Sequence, residues 1–198
     1  MKVIIVGAHG EAKELINRSK ETLAKVASFG YKYVEGYEGD LGLFWGMSNI
    51  EFKNYLDNLG LEMIASHCGD TNNLESFKAK CDQAAEVGID YLICPWAGEE
   101  ISISAFQNLA ETFNKCGQIA KQSGISFAYH NHAYSFKKID GIYLQDILMN
   151  ETDKNLVDFE SKFQKQFNQK PNHLSLLSYD LVGLIYYLSI CLLYTSDA

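Results

Sequence analysis

The chain has 198 residues, of which 47% are hydrophobic and only two are proline, so it can bury an ordinary single-domain core. Its formal net charge of −8 leaves no overall basic field to attract a phosphate backbone, which disfavours nucleic acid as a partner. Its five cysteines include no C-x-x-C pair, which suggests neither a disulfide framework nor a zinc knuckle and suits a reducing cytoplasm.

The first ten residues contain a short apolar run and two glycines. Four apolar residues follow Lys2, too few for the apolar region of a signal peptide. KVIIVGAHG (2–10) lacks the full G-x-G-x-x-G fingerprint, so we interpret it as a plain first strand rather than a nucleotide-binding turn. Residues 181–196 are uncharged, but a membrane span needs about 20 apolar residues. We therefore predict a cytoplasmic protein without a membrane partner.

One sequence pattern occurs four times: an amphipathic stretch ends at a glycine, and a short apolar run follows at once. The glycines are Gly30, Gly60, Gly88 and Gly124, at spacings of 30, 28 and 36 residues. Glycine accepts the left-handed conformation of a helix C-cap, and each following run has the composition of a strand. Alternating helices and strands at this spacing predict a parallel sheet, in a doubly wound fold or an eight-stranded barrel.

Two helix starts are also predicted. Ser48-Asn-Ile-Glu51 is typical of a capping box, with Met47 and Phe52 placed for a hydrophobic staple. Ser104-Ala-Phe-Gln107 predicts a second capping box. The helix after it carries one core-facing stripe at helical spacing, formed by Phe106, Leu109, Ala110, Phe113 and Gly117.

Polar and aromatic residues stand at the predicted carboxyl ends of four strands, where both architectures bind ligands. They are Glu35, His67, Pro95-Trp96 and His130-Asn131-His132. One such residue alone would be assigned to structural hydrogen bonding. Four in succession at equivalent positions favour a shared site.

The two histidines of the last strand end alternate, so they share a face if that strand continues to them. His130 and His132 would then share a divalent metal, or one would bind metal while the other moves a proton. The alternative is that one of them only caps a neighbouring carbonyl. Glu35 is a candidate base or ligand, or a solvated carboxylate. Trp96 offers a flat wall for a sugar ring, or ordinary core filling.

Six phrases resemble the xylose-isomerase-like sugar phosphate isomerase/epimerase family over about residues 20–160. The most distinctive are the Y-H-N-H segment and the C-P-W strand end. The phrases are FGYKYVEG (29–36), WGMS (45–48), LGLEMIASH (59–67), VGIDYLICPW (87–96), GISFAYHNHAYSF (124–136) and NETDKNLVDFE (150–160). The resemblance implies an α/β fold in which residues 1–160 form a partial TIM barrel of about five parallel strands. Residues 161–198 would be a divergent or foreign helical tail.

The same resemblance implies metal-assisted proton transfer beside the carbonyl of a small sugar or sugar phosphate. The cofactor would be a divalent metal, Mn, Mg, Co or Zn. His130 lies where relatives often place a metal-binding glutamate. The catalytic roles would fall to Glu35, His67 and His132, and substrate contacts to Trp96 and Asn131.

Departures from the family pattern lower the expected activity. Many relatives have a glutamate where this chain has Ser135, and the M-D-x-Y-W-like segment expected after residue 160 is replaced. A full barrel takes about 250 residues, so five strands would leave open edges, and we predict self-association with weak or absent turnover.

Two other functions remain open from the sequence. One is a metal-dependent endonuclease of the same superfamily, which the acidic balance disfavours. The other is a non-catalytic binding protein for small polar solutes, because residues 163–190 resemble a helical piece of periplasmic amino-acid-binding proteins.

Overall fold

The computed structural model describes residues 3–6, 12–69, 71–96 and 98–153, and the predicted tail at 161–198 lies outside this part. Strands and helices alternate through five units: β1 (Val3–Val6), α1 (Ala12–Ser28), β2 (Tyr33–Tyr37), α2 (Asn49–Leu59), β3 (Glu62–His67), α3 (Leu74–Val87), β4 (Tyr91–Cys94), α4 (Ile103–Gln122) and β5 (Ser126–Tyr129). A 3-10 turn (Ala133–Phe136), the two short strands β6 (Lys138–Ile139) and β7 (Ile142–Tyr143), and α5 (Leu144–Glu151) follow.

The five strands form one parallel sheet in the order β1-β2-β3-β4-β5. Every strand therefore lies beside its neighbour in sequence. A doubly wound sheet reverses its strand order at a switch point, whereas a barrel adds each strand beside the last. The order confirms the predicted partial (β/α) barrel and its five parallel strands, with KVIIVGAHG contributing the first strand.

The four repeat glycines end helices as predicted. Gly30, Gly60, Gly88 and Gly124 have φ angles of 83°, 62°, 93° and 80°, which lie in the left-handed region. The Gly88 amide bonds back to the carbonyls of Ala84 and Ala85. An L-residue resists this conformation because its Cβ crowds the backbone, so glycine sets where each helix stops.

One helix start was predicted correctly and the other was wrong. Ser48 caps α2, its hydroxyl accepting a bond from the Glu51 amide at 3.3 Å. The helix α4 begins at Ile103, and Ser102, not Ser104, is its cap, accepting from the Ala105 amide at 3.1 Å. Ser102 has the extended backbone that an N-cap needs, with φ −138° and ψ 165°, and Ser104 already lies within the first turn.

The core lies where the helices cover the sheet. On α4 the predicted stripe is confirmed, because Phe106, Ala110, Phe113 and Gly117 are buried and Leu109 is partly buried. Phe127 of β5 contacts the rings of Phe77 and Phe113 at 5.5 and 5.2 Å between centroids. Among the helices described, none is long and apolar enough to cross a bilayer.

Candidate active site

The side chains of Glu35 and His67 lie within hydrogen-bond distance of each other near the carboxyl ends of two adjacent strands. Glu35 is opposite Ala65 in the register of β2 and β3, and His67 lies two residues beyond Ala65. Side chains two apart on a strand share a face, so both project to the same side of the sheet. His67 Nε2 lies 2.8 Å from Glu35 Oε1, with side-chain exposures of 9% and 21%.

The sequence placed Glu35 at the end of its strand, and this was wrong. β2 continues to Tyr37, and its register with β3 shifts between Val34 and Glu35. The extra length arises because Gly36 and Tyr37 still pair with Ser66 and His67. Glu35 therefore lies two residues before the end of β2. Its side chain is half-buried, which argues against a solvated carboxylate.

The carboxyl ends of the strands, with Glu35 and His67, form an edge of the sheet that we call the rim. A row of imidazole rings lies along it. The ring centroids of His67 and His130 lie 5.3 Å apart, and those of His130 and His132 lie 5.0 Å apart. The sequence placed these two histidines on one face only if the strand continued to them, and this condition is not met because β5 ends at Tyr129. The backbone turns there, after the His130 amide bonds to the Cys94 carbonyl at 2.9 Å. The rings nevertheless meet, through the turn instead of through strand alternation.

His132 makes the structural bond that the sequence left open as an alternative. Its Nε2 lies 2.7 Å from the Pro95 carbonyl oxygen, which can only accept a hydrogen bond, so this nitrogen is the donor. Its ring also stacks on Tyr134 at 5.3 Å between centroids. His132 thus ties the loop after β5 to the loop after β4, and its catalytic role stays a prediction.

Trp96 and Asn131 lie on the two loops that His132 joins, after β4 and after β5. Trp96 is 52% exposed, which excludes the core-filling alternative and leaves its indole accessible at the end of β4. Asn131 lies between the two histidines and is half-buried. Their substrate contacts stay predictions.

The described residues do not by themselves fit a divalent metal. Within that part of the chain, no group of three His, Cys, Asp or Glu side chains is arranged to hold a metal ion. Glu35 and His67 bond each other, and His132 is bonded to a carbonyl. We therefore assign no catalytic step to a metal.

Beneath the rim lie buried groups that stay protonated. Burial raises the pKa of the Cys68 thiol well above its usual value, with the neighbouring Cys94 adding to the rise. Burial likewise raises the pKa of the Tyr129 hydroxyl, which lies 3.1 Å from Ser135 Oγ. Ser135 is fully buried. The position that carries a glutamate in many relatives therefore points into the protein here.

Comparison with known proteins identifies the family. A family model described as "Xylose isomerase-like TIM barrel" matches residues 23–148, more than half of the chain. The chain belongs to this family. No curated protein matches the chain.

Several solved structures have a fold similar to that of this xylose isomerase-like barrel. A sugar phosphate isomerase/epimerase from Parabacteroides distasonis has a TM-score of 0.62 at 23% identity, over 84% of this chain and 68% of its own. D-psicose 3-epimerase with D-tagatose from Clostridium cellulolyticum gives 0.58 at 14% identity, over 79% and 62%. A xylose isomerase domain protein from Planctomyces limnophilus gives 0.53 at 12%, over 78% and 60%. At such identities these likenesses show the fold, and the chain spans about three fifths to two thirds of each structure.

The sequence did not indicate two polar residues beside the rim of this xylose isomerase-like barrel. Glu38 and Lys80 form an ion pair at 2.9 Å, although they are 42 residues apart. No local motif marks such a pair. The sequence also did not indicate that Trp45 is structural, yet it is fully buried, and its Nε1 donates to the Tyr37 carbonyl at 2.9 Å.

A cleft lies at the opposite end of the sheet from Glu35 and His67. This cleft of about 340 Å³ lies beside the start of β3 and is lined by Lys53, Asp57, Glu62 and Asp90, among others. In barrels of this type the amino ends of the strands serve stability, whereas ligands bind at the carboxyl ends. The candidate site is therefore the rim that carries Glu35 and His67.

Proposed function

We propose that this chain binds a small sugar or sugar phosphate at the rim and moves a proton on the carbon next to the sugar carbonyl. The observation that carries the proposal is the contact of His67 Nε2 with Glu35 Oε1 at 2.8 Å, beside the ring of His130. A carboxylate held by a largely buried imidazole is a suitable base for such a proton. Family membership favours this chemistry over a non-catalytic solute-binding protein. The net charge of −8, and not the family, disfavours an endonuclease.

In the proposed step Glu35 removes the proton from the carbon beside the carbonyl. The electrons of the broken C–H bond move into an enediolate. Return of the proton from Glu35 to the neighbouring carbon, with transfer of the hydroxyl proton to the former carbonyl oxygen, gives an isomer. An epimer would form only if a second acid delivered a different proton to the opposite face of the original carbon. His67, as the hydrogen-bond donor to Glu35, orients the carboxylate for both transfers.

The remaining assignments concern binding. Trp96 would stack its exposed indole on the apolar face of a sugar ring, and Asn131 would bond to hydroxyl groups. His132 would take part through the ring nitrogen that does not bond to Pro95. His130 is the proposed metal ligand, for which other ligands would have to come from beyond the described residues.

We expect turnover by this chain to be weak or absent. A bound divalent metal, Mn, Mg, Co or Zn, would polarise the carbonyl and lower the barrier to proton removal. The described residues supply a base, Glu35, but no group of three side chains arranged to hold that metal.

Exchange of substrate hydrogen with solvent tests this function. A ketohexose and a ketose phosphate are incubated with the chain in D2O, with each metal in turn, and the signal of the hydrogen beside the carbonyl is followed by NMR. We expect slow exchange that Glu35→Gln reduces at least about tenfold. Glu62→Gln, at the exposed start of β3, is the matched control and should have no effect. Exchange that survives Glu35→Gln would contradict the role of Glu35, and rapid metal-dependent turnover would contradict the expected weakness.

A further inference from the structure

We propose that the Glu38–Lys80 ion pair positions His67 against Glu35, an inference that rests on the proposed function of that pair. Glu38 follows β2 directly and bonds to the end of β3 on both sides of Cys68. Its amide donates to the His67 carbonyl oxygen at 2.9 Å, and its Oε2 accepts a bond from the Gly69 amide. Glu38 therefore holds the backbone at both His67 and Gly69.

Lys80 fixes the carboxylate that makes the second of these bonds. Its Nζ, from α3, lies 2.9 Å from Glu38 Oε2, and the two side chains are only 16% and 18% exposed. Such a partly buried pair is less screened by water and salt than a surface pair. The attraction holds Oε2 against the Gly69 amide. A Cβ on Gly69 would lie 3.0 Å from Oε2, so a larger residue there would make the carboxylate shift.

The neighbouring contacts carry this constraint into β3. The amide of Cys68 bonds to the Ile93 carbonyl of β4 at 2.9 Å, so the segment is held by β4 on one side and by Glu38 on the other. If Lys80 loses its charge, the carboxylate of Glu38 remains partly buried without a cation. Its lowest-energy response is to turn towards water, which releases Gly69 and lets His67 move from Glu35.

The same helix offers a matched control. Lys78 and Asp82 form an ion pair of 2.6 Å on α3, but their side chains are 55% and 49% exposed. Their side chains bond to each other and to Ser123, at the end of α4. Loss of Lys78 therefore removes a similar charge from α3 and should leave His67 in place.

The test uses the full 198-residue chain labelled with 15N-histidine. The readout is the His67 Nε2–H resonance, which its bond to Glu35 should shift downfield and which is assigned by its absence in His67→Asn. We expect Lys80→Met to abolish or shift this resonance, Lys80→Arg to restore it, and Lys78→Met to leave it unchanged. The solvent-exchange rate should fall about tenfold in Lys80→Met and recover in Lys80→Arg. An unchanged His67 resonance in folded Lys80→Met would overturn the proposal.

A second variant covers a failure of Lys80→Met to fold. Glu38→Gln keeps an oxygen acceptor for the Gly69 amide but removes the charge that attracts Lys80. It should shift the same resonance, and an unchanged resonance would again overturn the proposal. The NMR measurement needs no sugar. The His67 resonance therefore tests the positioning proposal by itself. The proposed function is tested separately, by whether hydrogen exchange is lost or survives in Glu35→Gln.

Discussion

His67 is the residue whose surroundings most restrict the chemistry of the rim. It is buried, bonded to Glu35 and adjacent to the ring of His130. His132 has the same side chain but is bonded to a backbone carbonyl. Their different partners arise from the register of β2 with β3 and from the turn after β5. Neither the register shift between Val34 and Glu35 nor the turn after Tyr129 follows from strand periodicity.

At Ser135 we predict that restoring the glutamate of many relatives does not restore activity. Ser135 is fully buried against the Tyr129 hydroxyl, so Ser135→Glu forces a carboxylate into the core. We expect a loss of roughly 2 to 4 kcal/mol in the free energy of unfolding, measured with urea, and no gain in solvent exchange. Ser135→Ala is the control and should lose about 1 kcal/mol. A stable, more active Ser135→Glu protein would show that this position faces the site.

How far the residues of the site could be predicted depends on how local their signals are. Glu35, His67 and His130 were predicted to converge because parallel strands bring their carboxyl ends to one edge. Contacts between Glu35, His67 and His130 agree with that expectation. The Glu38–Lys80 pair was missed because it joins a loop to a distant helix, and neither residue lies in a motif.

At the scale of elements, the ends of helices were predicted where a single residue determines them. The four glycines set helix ends through backbone conformation alone, which is visible in the sequence. The start of α4 was misplaced because serines at 102 and 104 are both plausible caps, and only the extended backbone at Ser102 distinguishes them.

Asp82 links the elements α3 and α4, and we predict a pH-dependent contribution from it. Hydrogen bonds from Lys78 and then Ser123 lower the pKa of Asp82, because they favour its charged form. A lowered folded-state pKa stabilises the protein above the unfolded-state pKa, and this stability is lost as pH falls through the folded value. Asp82→Asn should therefore be less stable than the parent near pH 7, and the difference should vanish in strong acid.

Urea unfolding of Asp82→Asn and the parent at several pH values measures this difference. Asp57→Asn on α2 is the matched control, because Asp57 also faces a lysine four residues away but at 3.8 Å. Its effect at pH 7 should be smaller. A difference for Asp82→Asn that stays constant down to strong acid would contradict the assigned cause.

At the scale of the whole molecule, the sheet order identifies a barrel, but strand periodicity alone left a doubly wound fold open. Within the described part of the chain, β5 pairs only with β4, and β1 only with β2. Exposed edges of parallel strands are templates for pairing with another chain.

We therefore predict that this chain associates with itself. Light scattering coupled to gel filtration should show a mass above 22.3 kDa that rises with protein concentration. A chain that stays at 22.3 kDa across the accessible concentrations would contradict pairing through the edges.

Titration of the labelled histidines with sugars tests the central claim most directly, because it asks whether the rim binds the proposed substrate class. A ketohexose, a ketose phosphate and a branched amino acid are each added to 15N-histidine-labelled protein. The account predicts saturable shifts of the His67 and His130 resonances with a sugar, weakened by Glu35→Gln, and none with the amino acid. Absence of sugar-dependent shifts at both histidines, or shifts with the amino acid alone, would contradict it.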